Sequence, residues 1–484
     1  MNEAVPLWTS MEAAQATGGR SSTVWRAGGV SIDSRSVGPG DLFVALQGPT
    51  FDGHAFVADA LARGAVAAVV SRPPPGVPGT APLLTVDETF VALRALGARA
   101  RGRGLARICA VTGSVGKTGV KEALRTVLAR QGATAANEGN LNNQWGLPLS
   151  LARMPAATAY GVFEMGMNHP GELQPLSSLA RPHVAVITTI EAVHKAHFAS
   201  VEDIADAKAE IFTGVEPGGS AILNRDNPQH DRLWAAARRR GIQRIIGFGR
   251  DRDAEARLLD ATIEADGSRV RADVLGNVLD YRIAAPGSHW VLNSLCVLAA
   301  AAALGADVSR AADDLAHVGV PKGRGQRATV RLPRGSFELI DDSYNASPVA
   351  MAAAFEVLGR IAPGPGGRRI AVLGDMLELG DETPALHARL AQPLQANGID
   401  LVFTAGANMA HLAEALPIAM CAGHADDAAH LAPLVTKAVR PGDVVTVKGS
   451  AGSRMGTVVR ALKALEADAD VDLASRRPRA ANGG

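Results

Sequence analysis

The stretch RICAVTGSVGKTGVKE, residues 107–122, decides the fold prediction for this chain. Residues 108–111 are apolar and indicate a buried strand. Gly113 and Gly116 then allow the backbone to turn with its N–H groups facing an anion. A helix that begins at Lys117 adds the positive end of its dipole at the same place. The stretch therefore predicts a strand, a phosphate-binding loop and a helix in succession.

The loop has the spacing GxxGKT, because Val111 stands where the longer eight-residue phosphate loop has its first glycine. In such a loop, the backbone of Gly113, Ser114 and Gly116 lies against phosphates and the Lys117 side chain reaches the β- and γ-phosphates. The Thr118 hydroxyl can ligate Mg²⁺. A glycine-rich turn with a surface lysine is the alternative, and the spacing favours a nucleoside triphosphate.

Composition excludes several classes of protein. The 484 residues suggest about three domains, and 47% hydrophobic with 20% charged residues is ordinary for a globular chain. Lys plus Arg is 49 against 48 for Asp plus Glu, so no overall field favours nucleic acid or an anionic membrane. The three cysteines are far apart and predict buried reduced thiols. Without a signal peptide or a bilayer-spanning run, the sequence predicts a cytoplasmic location.

Alternation of strands and helices predicts an α/β protein of three domains and a tail. Residues 1–104 form a small α/β domain, and residues 105–327 form a P-loop ATPase-like domain with a mainly parallel sheet. Residues 328–467 form a Rossmann-like, doubly wound domain, and residues 468–484 form a disordered tail. In the last two domains, we predict strands at 108–111, 159–165, 183–188, 220–223, 244–248, 337–340, 369–373, 401–404 and 444–448.

Chemistry is expected just after these strands, because ligands gather at the carboxyl ends of parallel strands. Glu164 ends one strand, where its carboxylate can hold Mg²⁺ opposite Thr118 or remain a solvated acid. His194 and His197 share one loop, and spacing leaves a structural role and a ligand role equally open. Lys208 lies among helical acids, which by spacing alone indicates a solvent-facing lysine with salt-bridge partners.

Three further candidate residues lie at the hinge between the second and third domains or shortly after it. Asp342 follows a strand, where it can accept hydrogen bonds from ribose hydroxyls or cap the helix that begins near residue 348. Arg324 and Arg327, in the segment KGRGQR, are either a flexible basic linker or a clamp that reaches phosphate when domains close. We find no serine elbow or metal-type cysteine cluster, so covalent catalysis by the protein is disfavoured.

Together these pieces resemble the Mur ligase family, the ATP-dependent amide-forming enzymes of peptidoglycan precursor synthesis. The resemblance spans residues 30–461, which include all three domains. It is carried by TGSVGKTGVKE at 112–122, NEGNLNNQWGLPLSL at 137–151 and FEMGMNHPGEL at 163–173, with DDSYNASP at 341–348 and LGDMLELG at 373–380 in agreement. The resemblance implies ATP and Mg²⁺ as cofactors.

Among family members, the likeness is to those that join D-alanyl-D-alanine to UDP-N-acetylmuramoyl-tripeptide. The alternatives are the member that adds the third amino acid, diaminopimelate or lysine, and an ATP-binding homologue with impaired catalysis. The acidic DMLELG stretch and the double-asparagine loop favour the dipeptide-adding members, and the third domain has no DNPR motif. A nucleotide-dependent switch is disfavoured because no guanine-reading NKxD stretch is present. We expect a monomer.

The resemblance also implies residue roles. Thr118 and Glu164 hold Mg²⁺ between the β- and γ-phosphates, and Lys117 contacts the phosphates. His194 and a carbamylated Lys208 serve a second Mg²⁺. The remaining expected contacts are Asn293 with adenine, Arg324 with phosphate, Asp342 with ribose, Ser34 and Arg35 with the UDP part, and Asn140 and Asn143 with ATP and the peptide end.

One position departs from the family pattern. Gly119 stands where relatives more often carry serine or threonine, directly after the Mg²⁺-binding Thr118. We expect this glycine to loosen the first turn of the helix without removing activity, since Thr118 still supplies the hydroxyl.

Overall fold

The computed structural model describes residues 5–192, 198–264 and 266–475. Residues 20–85 form a five-stranded sheet in the order β2-β7-β6-β5-β4, with a separate antiparallel pair β1-β3 beside it. Buried Val, Leu and Ala side chains of β5 and β6 explain why these strands are central. The elements are β1 (Trp8–Thr9), α1 (Ser10–Thr17), β2 (Arg20–Ser21), β3 (Arg26–Ala27), β4 (Gly29–Ser31), β5 (Asp41–Val44), α2 (Val57–Ala62), β6 (Ala67–Val70), β7 (Leu83–Thr85) and α3 (Thr89–Gly102).

The second sheet has nine strands in the order β16-β15-β14-β13-β12-β11-β8-β10-β9. Strands β8 to β13 are parallel, as predicted, and β14 continues parallel to β13. The pairs β14-β15 and β15-β16 are antiparallel. The strands are β8 (Arg107–Thr112), β9 (Thr134–Ala136), β10 (Tyr160–Glu164), β11 (Val184–Ile187), β12 (Ser220–Asn224), β13 (Arg244–Gly249), β14 (Ala256–Glu264), β15 (Gly267–Val274) and β16 (Asn277–Ile283).

Helices cover both faces of this sheet and separate two buried clusters of apolar side chains. One cluster lies under α4 and α9, and the other lies under α5, α6 and α7. Burial on both faces explains why the parallel strands are almost wholly apolar. The helices are α4 (Lys117–Ala129), α5 (Gly146–Ala152), α6 (Leu173–Ala180), α7 (Val201–Ala209), α8 (His230–Arg239), α9 (Ser288–Ala303) and α10 (Val308–Asp314).

The third sheet has six strands in the order β17-β18-β22-β19-β20-β21, and all its pairs are parallel except β17-β18. Each of the four strands predicted in this domain is present. The elements are β17 (Gln326–Arg331), β18 (Ser336–Asp342), α11 (Pro348–Arg360), β19 (Arg369–Gly374), α12 (Thr383–Ala388), α13 (Ala391–Ala396), β20 (Leu401–Ala405), α14 (Ala410–Ala415), β21 (Cys421–Ala425), α15 (Ala428–Ala438), β22 (Val444–Lys448) and α16 (Gly456–Ser475).

Two predicted boundaries differ from the observed elements. The boundary after residue 327 falls inside β17, because Gln326 already pairs with Asp341 in the third sheet. The predicted tail begins at 468, but α16 continues to Ser475. Val458 and Leu462 anchor α16 in the core of this domain, and a helix that has started extends at much lower cost than it begins.

Candidate active site

The predicted phosphate loop follows β8 and leads into α4. Gly113 has φ of 144° and Gly116 has φ of 91°, conformations that favour glycine. A Cβ at Gly113 would also collide with the hydroxyl of Thr188. That hydroxyl donates a hydrogen bond to Val115 O at 2.6 Å, and the Ser114 N–H donates to Thr189 O at 2.8 Å. The segment after β11 therefore holds the loop in shape.

The Lys117 side chain lies over this loop. Its Nζ donates to Gly113 O at 2.6 Å and to Ser114 O at 3.4 Å. Burial lowers the pKa of Lys117, Glu164 opposes the shift and the charge of Arg324 adds to it. Glu164 is thus the anion, and Arg324 the cation, that face this lysine. A polyphosphate at the loop would supply the negative charge that these two cations share.

Glu164 is held by two hydrogen bonds at the end of β10, next to β8 in the sheet. Thr118 Oγ1 donates to its Oε2 at 2.8 Å, and Asn142 Nδ2 donates to its Oε1 at 2.8 Å. The residue is only 4% exposed, so the alternative of a solvated strand-end acid is wrong. A hydroxyl and a carboxylate at one sheet edge are ligands that suit Mg²⁺.

Thr118 and Glu164 offer two oxygen donors at the phosphate loop. Across the described ranges, no three His, Cys, Asp or Glu side chains gather as a ligand cluster. Magnesium bound to nucleotide phosphates commonly takes only one or two protein ligands and keeps several waters. Thr118 and Glu164 therefore meet the requirement of a nucleotide-bound Mg²⁺.

Asn137 is a site residue to which the sequence assigned no role. This side chain is 2% exposed, and its Nδ2 donates to Leu141 O and Glu164 O, both at 2.9 Å. Its Oδ1 accepts from the Glu164 N–H at 2.9 Å. One amide therefore fixes the backbone of Glu164 to the loop that also supplies Asn142. The available signal was its place at the start of NEGNLNNQWGLPLSL, one of the stretches that carry the family resemblance.

Lys208 is buried, contrary to the interpretation from spacing. It lies in α7 with 2% exposure, and burial, with Lys117 as a second cause, lowers its pKa well below the usual lysine value. The helical acids bond elsewhere: Asp206 pairs with Arg232, and Glu210 accepts from backbone amides of residues 171–174. A neutral amine is the form that reacts with CO₂, so this environment suits carbamylation. His194 and His197 lie outside the described residues.

A cavity extends from the phosphate loop to the third sheet. On the far side, Asp342 Oδ2 accepts from Lys448 Nζ at 2.7 Å, and the Arg324 guanidinium stacks over the Tyr344 ring at 4.6 Å. Burial raises the pKa of Asp342, and Lys448 opposes this shift. The cap of α11 is Ser347, so Asp342 is not the capping residue. Arg324 and Arg327 both line the cavity.

Asn293 also lines this cavity, from α9. Its amide lies against the phosphate loop, since a Cβ built on Gly116 would be 3.1 Å from its Oδ1. The structure therefore brings Gly113, Ser114, Gly116, Lys117 and Thr118 together with Glu164, Asn293, Arg324 and Asp342.

The residues predicted to face the substrate lie farther out. The Asp33 carboxylate accepts from the backbone and the guanidinium of Arg35, whose side chain is 86% exposed, and Ser34 lies between them after β4. Asn143 Oδ1 accepts from Gly146 N at 3.0 Å and so caps the start of α5. Asn140 is exposed in the same loop, and it is the neighbouring Asn142 that contacts Glu164.

The first domain contacts the central domain beside this loop. Trp8 Nε1 donates to Ala152 O at 2.8 Å, and Arg153 Nε donates to Val30 O at 2.7 Å. The rings of Phe51 and Trp145 meet edge to face with centroids 6.0 Å apart. These contacts place β4 and the loop after it on the side of the central domain that carries Asn142.

The fold and the site define an ATP-dependent ligase with three α/β domains, and comparison with known proteins agrees. Models of the Mur ligase family match residues 26–99 as its catalytic domain, residues 111–301 as the Mur ligase middle domain, and residues 323–451 as the glutamate ligase domain. The chain belongs to the Mur ligase family.

The proteins similar to this chain include several ligases with the same name. The UDP-N-acetylmuramoyl-tripeptide--D-alanyl-D-alanine ligase of Escherichia coli is 35% identical, over 90% of this chain and 93% of that protein. The Rickettsia prowazekii protein of the same name is 32% identical, over 94% and 99%. A MurF crystal structure from Acinetobacter baumannii, 30% identical, superposes with a TM-score of 0.81 over 94% of this chain and 99% of the other.

A MurF ligase of Thermotoga maritima, solved in complex with ADP, is 26% identical and has a TM-score of 0.75 over 91% of this chain and 98% of the other.

None of the helices in the described ranges combines the length and the apolar character that a membrane crossing requires.

Proposed function

We propose that this chain is the ligase that joins D-alanyl-D-alanine to UDP-N-acetylmuramoyl-tripeptide, with release of ADP and phosphate, in peptidoglycan precursor synthesis. The observation that carries the proposal is the cavity in which Lys117 of the central domain and Arg324 of the third domain face the same space beside Glu164. Full-length similarity to ligases of that name supports the choice of substrates.

In this proposal, Thr118 and Glu164 are the residues that would hold a Mg²⁺ ion, and bound Mg²⁺ would lower the negative charge that a nucleophile meets at the γ-phosphate. Lys117 and the N–H groups of the loop bind the phosphate oxygens, and Arg324 joins them from the third domain. Lys208, once carbamylated, and His194 are the residues that would hold a second Mg²⁺, which would supply positive charge to the substrate carboxylate.

The chemistry follows from the weakness of an ionised carboxylate as an acyl donor. Its oxygen attacks the γ-phosphorus, the bond to ADP breaks and an acyl phosphate forms. The neutral amine of the dipeptide then attacks the acyl carbon, phosphate leaves from the tetrahedral intermediate, and the nitrogen loses a proton. Lys117 neutralises charge in the first step. Closure of the cavity by the third domain excludes water that would hydrolyse the acyl phosphate.

The substrates come from both sides of the ATP site. Residues 1–104 bind the UDP part, with Ser34 and Arg35 at the end of β4 as contacts, and Asn140 and Asn143 lie towards the peptide end. The adenosine binds between the central and third domains, where it contacts Asn293 of the central domain and Asp342 of the third. We propose that the protein acts as a monomer in the cytoplasm.

The test is release of ADP and phosphate with each substrate omitted in turn. We expect release only with ATP, Mg²⁺, the UDP-muramoyl-tripeptide and D-alanyl-D-alanine together. Release without the tripeptide precursor, or with a dipeptide precursor and a diamino acid, would overturn the proposal. Lys117→Met should lower kcat at least a hundredfold, while Lys463→Met, on the exposed face of α16, should not.

A further inference from the structure

The cavity has an apolar end away from the phosphate loop. Ala350, Ala353 and Ala354 of α11 lie at helical spacing on one face, with Val357 one turn further along, and all four line the cavity. Their small side chains leave a flat wall. Since phosphates belong at the loop and Asp342 is the proposed ribose contact, the flat apolar wall has the shape and polarity for a nucleobase.

Trp290 is a large aromatic side chain that borders the same cavity, next to Gly119 of α4. It lies in the first turn of α9, lines the cavity and is only partly buried. The proposed ATP chemistry gives Trp290 no role. An indole face that borders a nucleotide cavity can stack with a base.

Gly119 explains how Trp290 fits there. Gly119 is buried in α4, where glycine disfavours a helix and where its φ is not in the left-handed region. A Cβ at this position would lie 3.0 and 3.1 Å from two atoms of the Trp290 ring. The glycine therefore provides space for the indole. This steric reason replaces the looser helix turn expected from sequence, because α4 runs without interruption from Lys117 to Ala129.

Thr446 is a second, independent sign of a ligand in this cavity. It lines the cavity from β22, two residues before Lys448 and opposite Ile340 of β18, so it shares a face of the sheet with Lys448. Its hydroxyl is buried and has no hydrogen-bond partner within the part of the chain that the structure describes. Buried polar groups are rarely left unpaired, so a bound ligand is expected to complete this one.

We propose that Trp290 is a nucleotide-binding residue: its indole forms one wall of the base slot, and Gly119 keeps that wall in place. This inference rests on the proposed binding of ATP and goes beyond it by adding a pair of residues that set the shape of the base end. Asn293, on the same helix as Trp290, is the proposed polar contact with the adenine, and its amide also lies beside Gly116. Trp290 therefore provides the aromatic contact with the base.

Titration with ADP tests the role of Trp290, with intrinsic fluorescence and calorimetry as readouts. ADP should change the fluorescence of the unmodified protein, and the change should disappear in Trp290→Phe and persist in Trp234→Phe, whose ring is exposed on α8. Trp290→Phe should bind ADP within about threefold, and Trp290→Ala about tenfold more weakly, as loss of base stacking predicts. ADP affinity of Trp290→Ala within twofold of the unmodified protein would overturn the proposal.

The pairing with Gly119 is tested by a double-mutant cycle. Gly119→Ala should weaken ADP binding about fivefold, because the added Cβ pushes the indole, and it should have no further effect in a Trp290→Ala background. If Gly119→Ala reduced ADP affinity equally in both backgrounds, Gly119 would not act through Trp290. Alanine favours the helix, so the variant is expected to fold, and circular dichroism checks this. These assays need no acceptor substrate. A protein that passes them and fails to release ADP in the ligation assay would refute the proposed function alone.

Discussion

Replacing Asn137 by leucine tests how Glu164 is positioned. Leucine has nearly the shape of asparagine but cannot form its three side-chain hydrogen bonds to the backbone of Leu141 and Glu164, each 2.9 Å long. A buried hydrogen bond contributes about 1 kcal/mol net, so their loss costs about 3 kcal/mol, and backbone groups left unpaired at this 2%-exposed position add to it. Greater apolar burial offsets only a part.

Urea unfolding followed by tryptophan fluorescence measures this loss. Asn140→Leu is the matched control, because Asn140 is exposed in the same loop. We expect Asn137→Leu to lower the free energy of unfolding by about 3 kcal/mol and the control by less than about 0.5 kcal/mol. If the two variants were equally stable, the hydrogen bonds would not be holding the strand end.

The same variant should affect catalysis through Glu164. When the backbone at Glu164 is no longer fixed, its carboxylate must be ordered by the metal, so the Mg²⁺ concentration for half-maximal activity should rise. We expect a rise of about tenfold. A fall in kcat with an unchanged Mg²⁺ requirement would show that Asn137 does not act through this acid.

Three further predictions concern the third domain. Lys448→Met leaves the Asp342 carboxyl buried without its partner, so it should cost about 3 kcal/mol in thermal or urea unfolding, and adding Asp342→Asn should restore most of it. Thr446→Val removes a hydroxyl that has no described partner, so it should leave stability unchanged or slightly higher while weakening ADP binding about threefold to tenfold in calorimetry. His387 is buried, which lowers its pKa, and its Nε2 accepts a hydrogen bond from the Met376 N–H. The unfolded chain therefore binds a proton at this histidine more readily than the folded protein does. The free energy of unfolding should fall as the pH drops below about 6.5. Unfolding curves at pH 7.5 and 5.5 should show a smaller fall for His387→Gln.

Much of the site follows from where strands end. The sequence located β8, β10 and β18 because their apolar runs stop at polar residues, and parallel pairing then brings Thr118, Glu164 and the phosphate loop to one edge. Lys448 ends β22 in the same way and was missed, although the strand itself was predicted. The criterion that selected acids at strand ends would also have selected this lysine.

The burial of Lys208 could not be predicted from its neighbours in the sequence. Four acids near it in sequence predict ion pairs on a solvent-facing helix. In the fold, α8 supplies Arg232 to Asp206, and backbone amides near α6 bind Glu210, so the acids are satisfied by elements distant in sequence. The lysine is left on the buried side. Only the tertiary packing of α7 decides which side faces the site.

The reason for a glycine at position 119 also lies in a residue that is distant in the sequence. Helix propensity makes a glycine in α4 look like a weakness, and nothing near it in sequence suggests otherwise. Its reason is the Trp290 ring from α9, far along the chain. Because glycine and tryptophan are complementary in size here, neither residue can be interpreted alone.

Charge links nucleotide binding to the arrangement of the domains. Arg324 moves with the third sheet, since Gly325 N–H donates to Asp341 O and Tyr344 N–H donates to Gly323 O, both within 3.0 Å. Lys117 belongs to the central domain, and Arg324 lowers its pKa, so the two cations repel each other across the cavity. A polyphosphate between them converts this repulsion into attraction from both sides. The nucleotide therefore favours approach of the two domains before any reaction occurs, and the closed cavity keeps water away from the acyl phosphate that forms there.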